Sequence, residues 1–266
     1  MAGPGGAAAQ VPAWLACGEP DLPTSEQWLT PREAARAAGM RFTKRRTEYL
    51  VRRLAGKRAV AGVSGLGDDP TGLARIELAN HPGGAPYVLV DRRPAGFDVS
   101  LTDRAGWAVC LVGPDLGRVG CDLELVEGRS EGFIADYLTP AEQAYVLERS
   151  GVDREVAANL LWSAKESALK VLRTGLRRDT RTVEVTVEPP ESAQPGRRDG
   201  WGRLELRPVG GVPMAGWWRR DGRFLLTVAA ASARPAPALL PGSADLATAP
   251  PLHTWLDRPL AADGGE

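Results

Sequence analysis

Residues 97–113, FDVSLTDRAGWAVCLVG, hold two runs of strand-forming residues about a DRAG turn, so the middle of this chain reads as a β-hairpin. Helical patterns lie on both sides of it. Upstream, the spacing predicts a helix opening at Thr30-Pro31 and running through REAARAAG. A longer helix follows in KRRTEYLVRRLAGKRAV, with Tyr49, Leu50, Leu54 and Val60 turned inward, and PYVLVD adds a strand. Downstream, RVGCDLELV reads as a strand. TPAEQAYVLERSG reads as a helix with Thr139, Pro140 and Glu142 at N-cap, N1 and N3 and Gly151 as its stop. A long helix through 156–173 ends at Gly175, and RTVEVTVE, GRLELRPV and GWWRRDGRFLLTVAA follow as three more strands. Strands and helices mixed in each half make the fold class α+β. The predicted organisation is a flexible N-terminal segment over 1–30, an α+β subdomain over 31–115, a second over 116–235 and a Pro/Ala-rich tail over 236–266. The joint falls at the GPDLG turn, residues 113–117, and no short-period repeat is visible.

Composition narrows the function classes. Lys plus Arg equals Asp plus Glu, at 33 each, so no global field points to nucleic acid or to an anionic membrane. Cys17, Cys110 and Cys121 form no CxxC pair, and only His81 and His253 offer imidazoles, which argues against a disulfide scaffold, a Cys/His zinc site and a Ser-His-Asp hydrolase. The N-terminus lacks the basic region of a signal peptide, and no apolar run approaches the roughly 18 residues that span a bilayer. The expectation is a cytoplasmic protein.

Alternate residues of a strand share a face, so VGCDLELV sets Val119, Cys121, Leu123 and Leu125 on one side and Asp122 and Glu124 together on the other. Two carboxylates that close repel unless water or a cation separates them. A half-exposed strand with a wet face gives the same pattern. In LLWSAKESALKVLRTGLR, residues 160–177, Glu166 and Lys170 stand i,i+4 in the favourable order, an ordinary feature of helix surfaces, while Trp162, Leu169 and Leu172 read as core. Taken together, Asp122, Glu124 and Glu166 are hard oxygen donors of the kind that suit Mg²⁺ and substrate phosphates.

Gly120-Cys121-Asp122-Leu123-Glu124 followed by Trp162-Ser163-Ala164-Lys165-Glu166-Ser167-Ala168-Leu169-Lys170 resembles the paired G-x-D-x-E and W-S-x-K-E-x-x-x-K signature of the 4′-phosphopantetheinyl transferases. The resemblance runs from about Arg41 to Ala231, and the length is similar to that of the two-domain, surfactin-synthetase-activating type. It implies two similar α+β subdomains packed as a pseudo-dimer within a monomer, with the active site between them. It also implies transfer of the phosphopantetheine arm of coenzyme A to a serine of an apo acyl or peptidyl carrier protein, releasing adenosine 3′,5′-bisphosphate, as a holo-[acyl-carrier-protein] synthase does. The rival implication is a non-catalytic relative that binds a carrier protein or a nucleotide; a phosphatase-like Mg²⁺ hydrolase is third. By the resemblance, Asp122, Glu124 and Glu166 hold Mg²⁺, Glu166 and Lys170 are catalytic, and Arg45, Arg53, Thr102, Lys165 and Lys170 bind coenzyme A. Arg45 and Arg53 are eight apart, just over two helical turns, so both reach one side of their helix.

Two family elements differ here. Where members carry S-[ST]-H or T-H, this chain has Ser100-Leu101-Thr102-Asp103, so Asp103 is read in place of the imidazole. A carboxylate about 4 Å from a phosphate charge costs up to roughly 4 kcal/mol at an effective dielectric of about 20, unless Arg104 offsets it or the side chain turns outward. The G-[KR]-P element reads Gly84-Ala85-Pro86. Both changes remove cations, so the expectation is weakened coenzyme A binding, relieved by Asp103→His and by a lysine at position 85. Glu142 reads as a helix cap rather than a catalytic group. Arg173, Arg177, Arg178 and Arg181 are expected to form a basic patch that docks the acidic carrier protein.

Overall fold

Thr30-Pro31-Arg32-Glu33 and Thr139-Pro140-Ala141-Glu142 each start a helix in the same way. In both, the threonine side chain caps the helix, proline takes the first position, and the glutamate reaches back to the cap's N–H. The likeness continues beyond the caps. Glu33 accepts from Leu78 N at 3.0 Å and pairs with Lys57 Nζ at 2.6 Å, while Glu142 accepts from Val185 N at 2.8 Å and pairs with Lys165 Nζ at 2.8 Å. Each glutamate thus ties a helix start to a long helix and to the strand after it.

The computed structural model describes residues 11–113, 118–188, 200–232 and 235–252. In the first half these residues form β1 (Ala13–Gly18), α1 (Pro31–Ala38), α2 (Thr43–Ser64), α3 (Pro70–Ala74), β2 (Ile76–Asn80), β3 (Pro86–Val90), β4 (Arg93–Pro94), β5 (Asp98–Arg104) and β6 (Trp107–Gly113). In the second half they form β7 (Val119–Leu125), α4 (Glu131–Tyr137), α5 (Pro140–Leu147), α6 (Gly151–Leu172), β8 (Val183–Val187), β9 (Gly202–Pro208), β10 (Met214–Asp221), β11 (Phe224–Ala230) and β12 (Ala238–Leu239). One sheet has the order β12-β1-β6-β5, a second β7-β11-β10-β9-β8, and a third β2-β3-β4. The α+β class holds. The halves repeat the series strand, short helix, 22-residue helix, two strands and a closing hairpin: β1, α1, α2, β2, β3, β5–β6 against β7, α5, α6, β8, β9, β10–β11.

Each long helix covers one face of its own half, giving one core around α2 and another around α6. Tyr49, Leu50, Leu54 and Val60 are all buried in the first. A third core joins the halves: Trp14, Trp107, Val109 and Leu111 meet Val119, Cys121, Leu123, Leu125 and Phe224. The seam has an unusual hydrogen-bond pattern. Strand β7 pairs with β11 on one side, and on the other its N–H groups donate to side chains of β5. Val119 N donates to Asp98 Oδ2 (3.2 Å), Cys121 N to Ser100 Oγ (3.0 Å) and Leu123 N to Thr102 Oγ1 (3.1 Å). Alternate β5 residues thereby satisfy alternate donors of β7.

The structure corrects several sequence expectations. Residues 13–18, assigned to a flexible segment, are a buried strand between β6 and β12. The described part of the tail packs on the body: Leu240 N donates to Trp14 O, Ala244 N to Ala16 O and Leu252 N to Ala105 O, and Leu246 and Ala249 enter the shared core. Gly151 starts α6 instead of ending α5, and α6 stops at Leu172, ahead of Gly175. GWWRRDGRFLLTVAA is two strands turning at Gly222, so the three strands expected over these stretches are four, β8 to β11, and β12 follows them. The proposed joint falls largely outside the described residues.

Candidate active site

Gly120 brings the two chemistry-bearing elements together. A Cβ there would lie 2.0 Å from Ser167 O, so only glycine lets β7 run this close to α6. With that approach made, Asp122 and Glu124 point from β7 towards Trp162, Ser163, Glu166 and Lys170 on one side of α6. Both carboxylates are buried, not on a wet face.

Asp122 is held from three directions. Its Oδ1 accepts from Lys170 Nζ (2.9 Å) and from Thr102 Oγ1 (3.2 Å), and its Oδ2 accepts from Ser163 Oγ (2.9 Å). Ser163 and Ser167 both meet Thr227 Oγ1, at 2.9 and 2.8 Å, which fixes the helix against β11. Lys170 Nζ also donates to Cys121 O at 2.8 Å. Burial works against its charge, but Asp122, Cys121 and Glu166 outweigh this and raise its pKa, so Lys170 is a firm cation. Glu124 takes the Trp162 indole N–H on Oε1 at 2.8 Å, while Arg129 and Arg104 stand 3.1 and 3.3 Å from Oε2. Its pKa is raised by burial and by Asp122, against the opposing arginines.

Glu166 differs from both. Its Oε1 is buried with no hydrogen-bond partner, and burial, with Asp122 and Glu124 adding to it against Lys170, pushes its pKa up to about 6. A carboxylate with an unsatisfied oxygen among like charges is a place for a cation or a proton. The oxygen-only donor set suits Mg²⁺. Yet among the described residues no three acidic, cysteine or histidine side chains are gathered closely enough to enclose a metal ion. In this arrangement Lys170 pairs with Asp122 and two arginines pair with Glu124, while Glu166 keeps an oxygen without a partner.

A cleft of about 890 Å³ opens beside these groups, between the halves. Arg36, Arg52 and Arg53 line it from the first half, and Lys170, Arg173 and Arg177 from the second. Among the described residues that line it, Asp98 is the single carboxylate. Arg53 is 6% exposed, packs over the Tyr49 ring, and leaves Nε and Nη1 without a partner. Buried guanidinium nitrogens without partners beside a cationic cleft are suited to an anion.

The expected donor-binding residues separate in the structure. Arg53 and Lys170 line the cleft, and Arg45 is exposed beside Phe42 outside it. Thr102 serves the carboxylates, not the cleft, by donating to Asp122 and capping Leu123 N. Lys165 is fully buried: its ammonium is shared between Glu142, Thr180 O (3.1 Å) and Val183 O (2.5 Å), so it reaches no ligand. Glu142 is the cap the sequence suggested and also the partner of that lysine. Asp103 does not face the cleft. It is not a lining residue, and it pairs with Arg52, which does line the cleft, so the arginine offsets the charge of Asp103.

The expected docking patch is also redistributed. Arg173 and Arg177 line the cleft, Arg178 donates to Thr182 and Val209 O, and Arg181 pairs with Asp179. Sequence reasoning missed Arg36 and Ser163 as site residues. Arg36 sits on a short helix that gave no functional signal. Ser163 and Ser167 were legible only as small polar residues four apart on α6.

Residues 118–206 match the family model of the 4′-phosphopantetheinyl transferase superfamily. No curated protein matches the chain.

Proposed function

We propose that this protein transfers the 4′-phosphopantetheine arm of coenzyme A to a serine hydroxyl of an apo acyl or peptidyl carrier protein. The observation that carries this reading is the placement of Lys170. It lines a cleft with cationic walls from both halves while its ammonium holds Asp122 of the carboxylate group. The family match over 118–206 covers both motifs. The proposal extends to the two-domain, surfactin-synthetase-activating type, to holo-[acyl-carrier-protein] synthase activity, to a cytoplasmic monomer, and to polyketide, peptide or fatty-acid synthases as the systems served. No helix among the described residues is long and apolar enough to cross a membrane.

In this reading the cleft arginines hold the phosphates of coenzyme A, with Arg53 supplying free N–H donors. Asp122, Glu124 and Glu166 would hold Mg²⁺, which supplies charge neutralisation at the pyrophosphate. Glu166, whose carboxyl pKa is raised to about 6 by burial in the metal-free protein, is ionised at neutral pH and takes the serine proton in this reading. The serine oxygen forms a bond to the phosphorus that bears pantetheine, and the bond from that phosphorus to the adenosine side breaks. Lys170 meets the charge that develops on the departing bisphosphate. Positioning and electrostatics account for the catalysis.

The test is incubation with apo carrier proteins, coenzyme A and Mg²⁺, followed by intact-mass measurement. A gain of one phosphopantetheine is expected, absent in Glu166→Gln and Lys170→Met. A second reading, a non-catalytic binding module, is favoured by the carboxylates being held by protein cations; it predicts coenzyme A or carrier binding with no mass gain.

A further inference from the structure

Arg173 ends α6 in the left-handed region, at φ 59° and ψ 26°, with its N–H donating to Leu169 O and Lys170 O. An L-residue with a Cβ costs roughly 1–2 kcal/mol in that conformation, and glycine is the residue that occupies it freely. An arginine here is a local conflict, and such conflicts point to use of the side chain. That side chain crosses the seam between the halves. Its Nη2 donates to Asp98 Oδ1 at 3.0 Å, and the other oxygen of Asp98 accepts the β7 donor Val119 N. Asp98 is itself 9% exposed, so Arg173 is seated on a fixed buried carboxylate. It stands three residues beyond Lys170, hence on the same side of the helix, and both line the cleft. On the other wall, Arg53 presents its unpartnered Nε and Nη1.

We propose that Arg173, positioned by Asp98, is a specificity-determining cation for the phosphates of the cleft ligand, and that it supplies from the second half the charge that Asp103 and Ala85 do not supply from the first. This rests on the reading of the cleft as a coenzyme A site and names a residue of it. A polyanion bridging Arg53 and Arg173 grips both halves at once. The lost cations of the hairpin and of the Gly84-Ala85-Pro86 turn are thereby compensated by a residue placed against its own backbone preference.

The test is calorimetric titration of the full chain with coenzyme A and with adenosine 3′,5′-bisphosphate, beside thermal melts. Arg173→Gly relieves the backbone conflict but unpairs the buried Asp98, so its Tm reports the balance of the two, while affinity for both ligands falls about tenfold. Arg173→Lys should recover part of the affinity. Asp98→Asn keeps an acceptor for Val119 N but unseats the guanidinium, and should weaken binding by less than Arg173→Gly does. Parent-like affinity in Arg173→Gly overturns the proposal alone. So does an affinity loss that Arg173→Lys does not relieve and that tracks a fall in Tm. A parent protein that binds neither ligand overturns the coenzyme A reading and this inference together.

Discussion

Glu166 and Lys165 are sequence neighbours with opposite fates, because adjacent helix positions lie about 100° apart. Glu166 faces the carboxylates, and burial beside them raises its pKa from the ordinary glutamate value to about 6. The folded protein therefore holds its proton more tightly than the unfolded chain. The stabilisation is present below about pH 4.5 and is lost as pH rises through about 6. At pH 7.5, Glu166→Gln should raise the stability of the metal-free protein by roughly 1–2 kcal/mol, flatten this part of the pH–stability curve and abolish transfer. Urea melts between pH 4.5 and 8 check it; a mutant no more stable than the parent at pH 7.5 contradicts the site's electrostatics. Lys165 faces the opposite way, and its pKa is lowered by burial against the pull of Glu142. Lys165→Met leaves Glu142 buried and unpaired, a loss of about 3–5 kcal/mol. Whatever fraction stays folded should bind coenzyme A with parental affinity, since the lysine reaches no ligand.

At the scale of elements, the contact that matters is α6 on β7, set by Gly120. Gly120→Ala places a methyl carbon 2.0 Å from Ser167 O, so helix and strand must separate. Overpacking of this kind costs about 1–3 kcal/mol, and it should reduce transfer far more than coenzyme A binding, because it displaces Asp122 and Glu166 rather than the cleft arginines. Equal losses in both would contradict that division. The elements carrying the motif were legible because their signals are local: alternation in VGCDLELV, a capping box at Thr139, and an apolar period through α6. The same locality explains what was not legible. Strand β1 lies in a Gly- and Pro-rich neighbourhood, and its identity comes from pairing with β6, about ninety residues away in sequence. Lys165 and Glu166 are both charged and read alike in a string. Only the position of Glu142 decides that one is interior and the other faces the carboxylates. Asp103 was likewise read as facing phosphate because the partner that offsets its charge, Arg52, sits on a helix fifty-one residues earlier.

At the scale of the molecule, two half-units share a core and a seam, and residues 235–252 bind across both. Trp107 Nε1 donates to Pro250 O at 2.7 Å on the first half, while Leu246 packs beside Phe224 and Leu226 of the second. Leu246→Ala should cost about 2–5 kcal/mol and, by loosening the halves, raise the KM for coenzyme A although it touches no cleft residue. An unchanged KM in a destabilised protein would confine the segment to a packing role. The cleft they enclose is cationic in a chain of zero net charge, so coenzyme A affinity should fall with added salt. The account's central claim, group transfer at the Lys170 end of that cleft, is tested most directly by counting both products of one reaction. Protein, coenzyme A, Mg²⁺ and apo carrier protein are mixed, and modified carrier serine and released adenosine 3′,5′-bisphosphate are quantified together. The prediction is one bisphosphate for each modified serine, with neither product in Lys170→Met. Bisphosphate release without carrier modification would make the protein a hydrolase, and tight coenzyme A binding with neither product would make it a binding module; either result contradicts the account.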